Sequence, residues 1–314
     1  MEKEYDILCV GCMVCDFLLK PVPKDFYNHD TYILDSMENN IGGDAANEAV
    51  IMAKLGNKVA LVTEAGGDGT GRELMDYLNG FGIDTSHIAV REGMRTQTSV
   101  LAICDDGDRH ALITPLSETG YGSRELDYSL LEKTKAVSIG SMMMYPELDK
   151  RLPDYLKRAR ELGVLTAGDM MVNHFDGWLE NMKRILPHLD YFFPNEVEAE
   201  LLTGESDPEK MAETLFEWGV KNVILKLGPD GCYIRNGDGS FSVPAFPAEC
   251  IDTTGAGDNF VAAFLTAAVR GWDIRRCTDF ASAAGAIAVS SMGTTTGIRD
   301  MEQVINLMKA HGRY

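Results

Sequence analysis

Positive charge is scarce in this chain. Its 29 Lys and Arg residues stand against 48 Asp and Glu, a formal net charge of −19 over 314 residues. Nucleic acid and anionic membranes are therefore excluded as main partners, since each would approach against like charge. Long apolar runs are also missing. The apolar stretch after Asp258 is cut at Arg270, short of a membrane span. Met1-Glu2-Lys3-Glu4-Tyr5-Asp6 has no basic region followed by an apolar one, so no signal peptide is read and a cytoplasmic protein is expected. The seven cysteines are few and odd in number, which points to free thiols. Cys9, Cys12 and Cys15 have the spacing that opens some iron–sulfur runs. Leu19 and Lys20-Pro21 stand where the last ligand and its Pro are needed, and Cys9 lies in the apolar run Ile7-Leu8-Cys9-Val10, so buried thiols are expected.

What is present is an alternation of short apolar strands with helical periodicity. Tyr5–Val10, Lys58–Val62, Ala136–Ile139, Val164–Ala167, Tyr191–Phe193 and Val223–Leu227 read as strands. Helices are expected after Gly43, through Leu74 and Leu78, from Leu148, near Trp178 and over most of the chain after Ala256. Such βα units imply a mainly parallel sheet with helices on both faces. Cys232–Arg235 and Ser240–Val243 read as an antiparallel edge pair. The glycines at 66, 67, 69 and 71 lack the dinucleotide spacing and read as a structural loop. Two stretches differ: Phe17–Asn40, with Pro21 and Pro23, and the runs Thr96–Ile103 and Arg109–Thr114 joined by the hairpin signal Asp105-Asp106-Gly107-Asp108. They read as a small exposed sheet. No linker or repeat divides the chain, so one domain over 1–314 is expected, with a β lid from about 12–40 and 92–118.

Chemistry concentrates in four places before helices, where open α/β sheets bind ligands. The first is Asp252-Thr-Thr-Gly-Ala-Gly-Asp258, running into an apolar helix. Its N–H groups, helped by the helix dipole, form a nest for an anion, and Asp258 in the first turn could take a proton from an attacking hydroxyl. An ordinary helix start with Thr254 as cap is the other reading. The second is Asp16 with Gly42, Gly43 and Asn47: a polyol site, or turn glycines and a helix cap. Asn195 and Glu198, three apart at a helix start, suit a hydrated magnesium ion or a simple cap with Glu198 on the surface. Lys226-Leu-Gly228-Pro-Asp-Gly231 ends a strand where a nucleotide could lie, or is a bare turn.

Together these segments resemble the ribokinase-like, pfkB-type carbohydrate kinase family from about Tyr5 to Lys309. The signatures are Gly42-Gly43-Asp44-Ala45-Ala46-Asn47 and Asp252–Asp258. The resemblance implies a ribokinase-like three-layer α/β sandwich with a small β lid. It also implies transfer of the ATP γ-phosphate to a sugar-like alcohol. Asp258 would be the base, Gly255, Ala256 and Gly257 the anion hole, and Asp16, Gly42, Gly43 and Asn47 the acceptor site. Asn195, Lys226, Gly228 and Gly231 would meet ATP. Glu198 and Asn195 would hold Mg2+ through water. Asp252 and Thr254, with the carbonyls of Ala288, Ser291 and Gly293, would hold a monovalent cation such as K+.

The chain departs from relatives in three places. Asp44-Ala45 replaces the Lys-Gly of phosphofructokinase-like members. Ser141-Met142-Met143-Met144 replaces the glutamate region of true ribokinases, and reads as core or as a wall for a base. Asp169-Met-Met-Val-Asn173 blurs the Asp-Pro-Asn-x-Arg of sugar-acid kinases. The expected acceptor is a neutral sugar or sugar-like alcohol. A nucleoside kinase of the same family and a non-catalytic sugar-binding relative are the alternatives, and an exposed lid edge suggests a homodimer.

Overall fold

The structure, a computed structural model, describes residues 3–104, 109–114, 126–171 and 176–314. The hairpin tip Asp105–Asp108, Asn173 and the expected lid end at 115–118 lie outside the described residues. The chain begins with β1 (Tyr5–Val10), β2 (Val14–Lys20), β3 (Ser36–Gly42), α1 (Asp44–Lys54), β4 (Val59–Gly66), α2 (Gly69–Asn79) and β5 (Ile88–Arg91). β6 (Thr98–Ile103) and β7 (Arg109–Ile113) follow, then α3 (Ser129–Lys133), β8 (Thr134–Met142), α4 (Pro146–Asp149), α5 (Leu152–Glu161) and β9 (Leu165–Met170). Next come α6 (Trp178–Ile185), β10 (Tyr191–Phe192), α7 (Glu196–Thr203), α8 (Pro208–Glu217) and β11 (Asn222–Lys226). The hairpin β12 (Cys232–Asn236) and β13 (Gly239–Val243) precede α9 (Ala256–Ala268), α10 (Ile274–Val289) and α11 (Met301–Ala310).

Nine strands form one sheet in the order β13-β12-β11-β10-β9-β8-β1-β4-β5. All neighbours from β11 to β5 are parallel, and the β12–β13 hairpin closes the edge antiparallel, as the pattern predicts. Successive side chains serve opposite cores. Ile7 and Cys9 join the core of α1, α9 and α10, whereas Leu8 and Val10 join that of α5, α6 and α8. Phe192 and Phe193 divide in the same way, which is why these strands are apolar throughout rather than alternating. The result is a three-layer α/β sandwich.

The second sheet has the order β3-β2-β6-β7 and is the small exposed sheet expected from the sequence. The residues between Lys20 and Ser36 add only a single 3-10 turn, Phe26–Asn28. Asp68 ties this lid to the body. It accepts from the backbone N–H and hydroxyl of Thr96, at 2.9 and 2.7 Å, while capping α2 through the Gly71 N–H at 2.8 Å. On the lid Met37, Leu112 and Ile113 are exposed.

Some details differ from expectation. The four-residue strand β5 is too short to show a period. The helix expected from Leu148 divides into α4 and α5, where Pro153 starts a new first turn. Gly69 and Gly71 lie inside α2 rather than in a loop before it. All seven thiols are free, and only Cys250 is exposed. No helix among the described residues is long and apolar enough to cross a membrane.

Asp149, in α4, is 1% exposed. Its Oδ1 accepts the Met143 N–H at 3.2 Å, but its Oδ2 has no partner. Burial pushes this carboxyl up to about 7 against the pull of those backbone bonds. The folded state therefore holds a proton that the unfolded chain has released, so this contribution is complete at low pH and is lost as pH rises through about 7. Asp149→Asn should stabilise the protein at pH 8 by on the order of 2 to 4 kcal/mol and by much less at pH 5. Urea unfolding at both pH values checks this, and an equal gain at both would dismiss Asp149 as the source.

Candidate active site

The N-terminus of α9 is built by its own sequence. Gly255 is its cap residue at φ 73°, and a Cβ there would lie 2.8 Å from the Thr294 backbone, so only glycine fits. Asn259 locks the turn by donating from Nδ2 to the carbonyls of Gly255 and Thr294, at 2.7 and 2.8 Å. Phe264 meets Phe193 and Tyr191 with ring centroids 5.0 Å apart, holding the helix against the strands. Each such edge contact adds about 0.5–1.5 kcal/mol beyond area burial.

Asp258 is buried in the first turn and accepts from Asn47 Nδ2 at 2.7 Å. That bond joins the loop of α9 to the glycine-pair segment of α1, 211 residues away in sequence. Burial pushes the Asp258 carboxyl well above its ordinary range, and Asp44 and Asp169 add to this, while Asn47 and Lys226 oppose it. Beneath the loop lies Lys226: a Cβ on Gly257 would sit 3.1 Å from its Nζ. The second glycine of the loop thus serves close approach, not a left-handed bend.

Asp16 packs over Gly42, where a Cβ would come within 1.9 Å of its Oδ2, and the Ser99 hydroxyl of the lid donates to it. Asp44, in the first turn of α1, accepts from Ser141 Oγ at 2.8 Å. Its carboxyl rises to about 6, first through burial and then through Asp169. Ser141 and Met143 have φ of 63° and 72°, rare for residues with side chains. Met142 and Met143 are core: both are at most 1% exposed, and Met142 packs on Gly168.

Asn195 and Glu198 do form a reciprocal cap, with N–H···O distances of 2.7 and 2.9 Å. Glu198 is nevertheless buried, not on the surface as a plain cap implies. Burial, then Asp169, pushes it up to about 7. A bridge places Asn195 beside Lys226. Lys226 donates to Asp169 Oδ2 at 2.9 Å. Burial alone would lower its affinity for a proton, but Asp169, Glu198 and Asp258 hold it above the usual lysine range.

Asn195, Lys226, Gly228 and Gly231 all line one cleft of about 660 Å³, together with Gly257, Phe246 and Val289. The residues read for a monovalent cation are also neighbours. Asp252 Oδ1 accepts from the Thr254 N–H and hydroxyl at 2.9 and 2.6 Å, and its Oδ2 accepts from the Gly293 N–H at 3.0 Å. Ala288 is buried and its carbonyl accepts the Ser291 N–H at 3.1 Å.

Sequence reasoning gave no role to Asp169, Ser141 or Glu48. Asp169 was visible only as the remnant of a blurred segment, and its partner follows 57 residues later. Glu48 is 0% exposed, bonded by Ser138 Oγ at 2.6 Å. The signal for it was a charge within the small and apolar run Ala45–Ala53 of α1, broken otherwise only by Asn47.

Known proteins resemble this chain over nearly its whole length. The family model described as pfkB family carbohydrate kinase matches residues 5–301. An ATP-dependent 6-phosphofructokinase of Thermoanaerobacterium thermosaccharolyticum is 27% identical, over 96% of this chain and 94% of its own. A nucleoside kinase of Methanothermobacter thermautotrophicus is also 27% identical, over 100% of this chain and 99% of its own. Among solved structures, an Arabidopsis thaliana ribokinase complexed with ribose and ATP superposes with a TM-score of 0.82 at 25% identity, covering 98% of this chain and 99% of that one. With the match running through nearly every element described, the chain belongs to the pfkB family of carbohydrate kinases.

Proposed function

We propose that this kinase moves the γ-phosphate of ATP to a hydroxyl of a neutral sugar or sugar-like alcohol. The observation that carries the reading is Asp258, buried beside the helix N-terminus, held by Asn47 and with Lys226 under the same loop. Asp258 takes the hydroxyl proton as the oxygen closes on phosphorus and ADP departs. The N–H groups of Gly255, Ala256 and Gly257 face the equatorial oxygens, where a preorganised donor counts most. The cleft of about 660 Å³ suits the nucleotide, its apolar walls taking the base and its inner end the phosphates. Asp16, Gly42, Gly43 and Asn47 receive the acceptor hydroxyls. The lid over them excludes water from the phosphoryl group.

Magnesium fits the donors present. Glu198 commits Oε2 to the Asn195 N–H, leaving its Oε1 for a metal-bound water. A hydrated magnesium ion keeps several of its own waters and takes few protein ligands. The ion supplies charge neutralisation on the phosphates when bound. The buried Met142 and Met143 give a nucleoside acceptor no particular support. A pure sugar binder would have no use for a carboxylate buried at an anion hole.

Asp258→Asn should leave ATP affinity nearly intact and lower kcat by on the order of 10² to 10⁴. Turnover near that of the wild type would remove Asp258 from the mechanism. Potassium should raise kcat relative to tetramethylammonium at equal ionic strength, because an ion held by the Asp252, Thr254 and Gly293 segment would buttress the loop ahead of α9. Identical rates in the two salts would sink that part of the proposal.

Asp44 bears on the acceptor. A phosphorylated sugar brings about two negative charges and needs cations to offset their desolvation. Lys226 lies under the Gly257 loop, where it serves the transferring phosphate, and Arg95 lies exposed on the surface. Two like charges about 4 Å apart repel by about 4 kcal/mol at an effective dielectric of 20. Free fructose, ribose or a nucleoside should therefore exceed fructose 6-phosphate and tagatose 6-phosphate in kcat/KM. A tenfold or greater preference for a sugar phosphate would overturn the assignment of Asp44.

A further inference from the structure

Asp169 stands at the C-terminal end of β9 and Lys226 at that of β11, with β10 between them. Their side chains meet across that strand at 2.9 Å and are 6% and 14% exposed. Asp169 is not a loose counter-charge, because its Oδ1 also accepts the Met170 N–H at 2.9 Å. A lysine, by contrast, is a point charge on a flexible stem and needs an external anchor to hold one position. Here the anchored ammonium lies 3.1 Å from where a Gly257 Cβ would be, under the loop that precedes α9. It also lines the cleft of about 660 Å³.

We propose that Asp169 is a positioning residue that holds Lys226 at the anion hole and shares it with the transferring phosphoryl group; this rests on the kinase reading above. An ammonium has three donors. One goes to Asp169, and the others remain for phosphoryl oxygens. In the resting site the pair spares Lys226 the cost of an unpartnered buried charge. When phosphate arrives, Lys226 stays in place and adds positive charge where negative charge accumulates. Because Asp169 keeps competing for the ammonium, the site does not hold ADP too tightly afterwards. Asp169 thus trades product affinity for turnover.

The test measures kcat with the best acceptor, and ADP and adenosine affinities by calorimetry, in the full chain. Asp169→Asn should lower kcat by on the order of 10²-fold, the lower end of the range for losing one well-placed donor. The same variant should bind ADP more tightly while adenosine, which lacks phosphates, binds as before. Asp169→Glu should recover most of the kcat. A role in folding alone would move ADP and adenosine together and would not split them. An unchanged kcat, or an ADP affinity that is unmoved or moves with that of adenosine, overturns the proposal. If Asp169→Asn does not fold, Lys226→Met decides: ADP should bind at least about tenfold more weakly and adenosine equally well. Equal ADP affinity in wild type and Lys226→Met would then refute it. Failure of the kinase reading is separate, since it would appear as no ADP release by the wild type with any sugar, polyol or nucleoside, whatever the binding data show.

Discussion

Lys226 is an ammonium set among carboxyl groups that burial alone would protonate. Asp258, Glu198 and Asp44 are each pushed upward first by loss of water and then by a neighbouring carboxylate, Asp44 for Asp258 and Asp169 for Glu198 and Asp44, with Lys226 opposing. One cation cannot neutralise them all, so Glu198 and Asp44 hold protons to a higher pH than exposed carboxyls would. The sign follows directly: the folded state binds these protons above the pH at which the unfolded chain has lost them. The stability they contribute is complete at low pH and is lost as pH rises through about 6 for Asp44 and about 7 for Glu198. A divalent cation entering near Glu198 would expel protons in turn, so metal affinity and proton release are linked.

That electrostatic arrangement depends on geometry set far from the charges. Two helices, α1 and α9, point their N-termini into the same space, and the Asn47–Asp258 bond joins them. Both pack on one face of the sheet, α9 through Phe260 and Phe264 against Phe193. The strands β9 and β11 then deliver Asp169 and Lys226 from the edge of the same crevice. Small misplacement would matter, since the close approaches at Gly42, Gly255 and Gly257 leave no room even for a methyl group without displacing a neighbour.

The fold was legible because both cores are written into single strands: Ile7-Leu8-Cys9-Val10 shows neither side facing water, and only a sheet covered twice allows that. The α9 loop was legible for a local reason, since glycine spacing and Asp258 fall within seven residues. Asp169 was not, because its meaning lies in a lateral neighbour two strands away. Ser141 likewise gains its role from Asp44, 97 residues earlier. For Asn195 and Glu198 the sequence offered a magnesium site or a cap with Glu198 on the surface, and the molecule has the cap with Glu198 buried instead.

Ser141 shows how the acceptor side is held to a shape of its own. A non-glycine residue in the left-handed region costs about 1–3 kcal/mol, and such a cost persists only where the surroundings over-determine it. Here the bend, repeated at Met143, turns Ser141 Oγ onto Asp44 and within 2.8 Å of Cys12 Sγ. With its proton on Asp44, Ser141 leaves Cys12 to donate the other bond. Met143 meanwhile sends its N–H to buried Asp149, and Tyr145 sends its hydroxyl to Gln97 below the lid at 2.8 Å. The strained segment therefore ties α1, α4 and the lid to the end of β8. In this arrangement the bent backbone at the end of β8, rather than a charged side chain placed there, fixes where Asp44 stands.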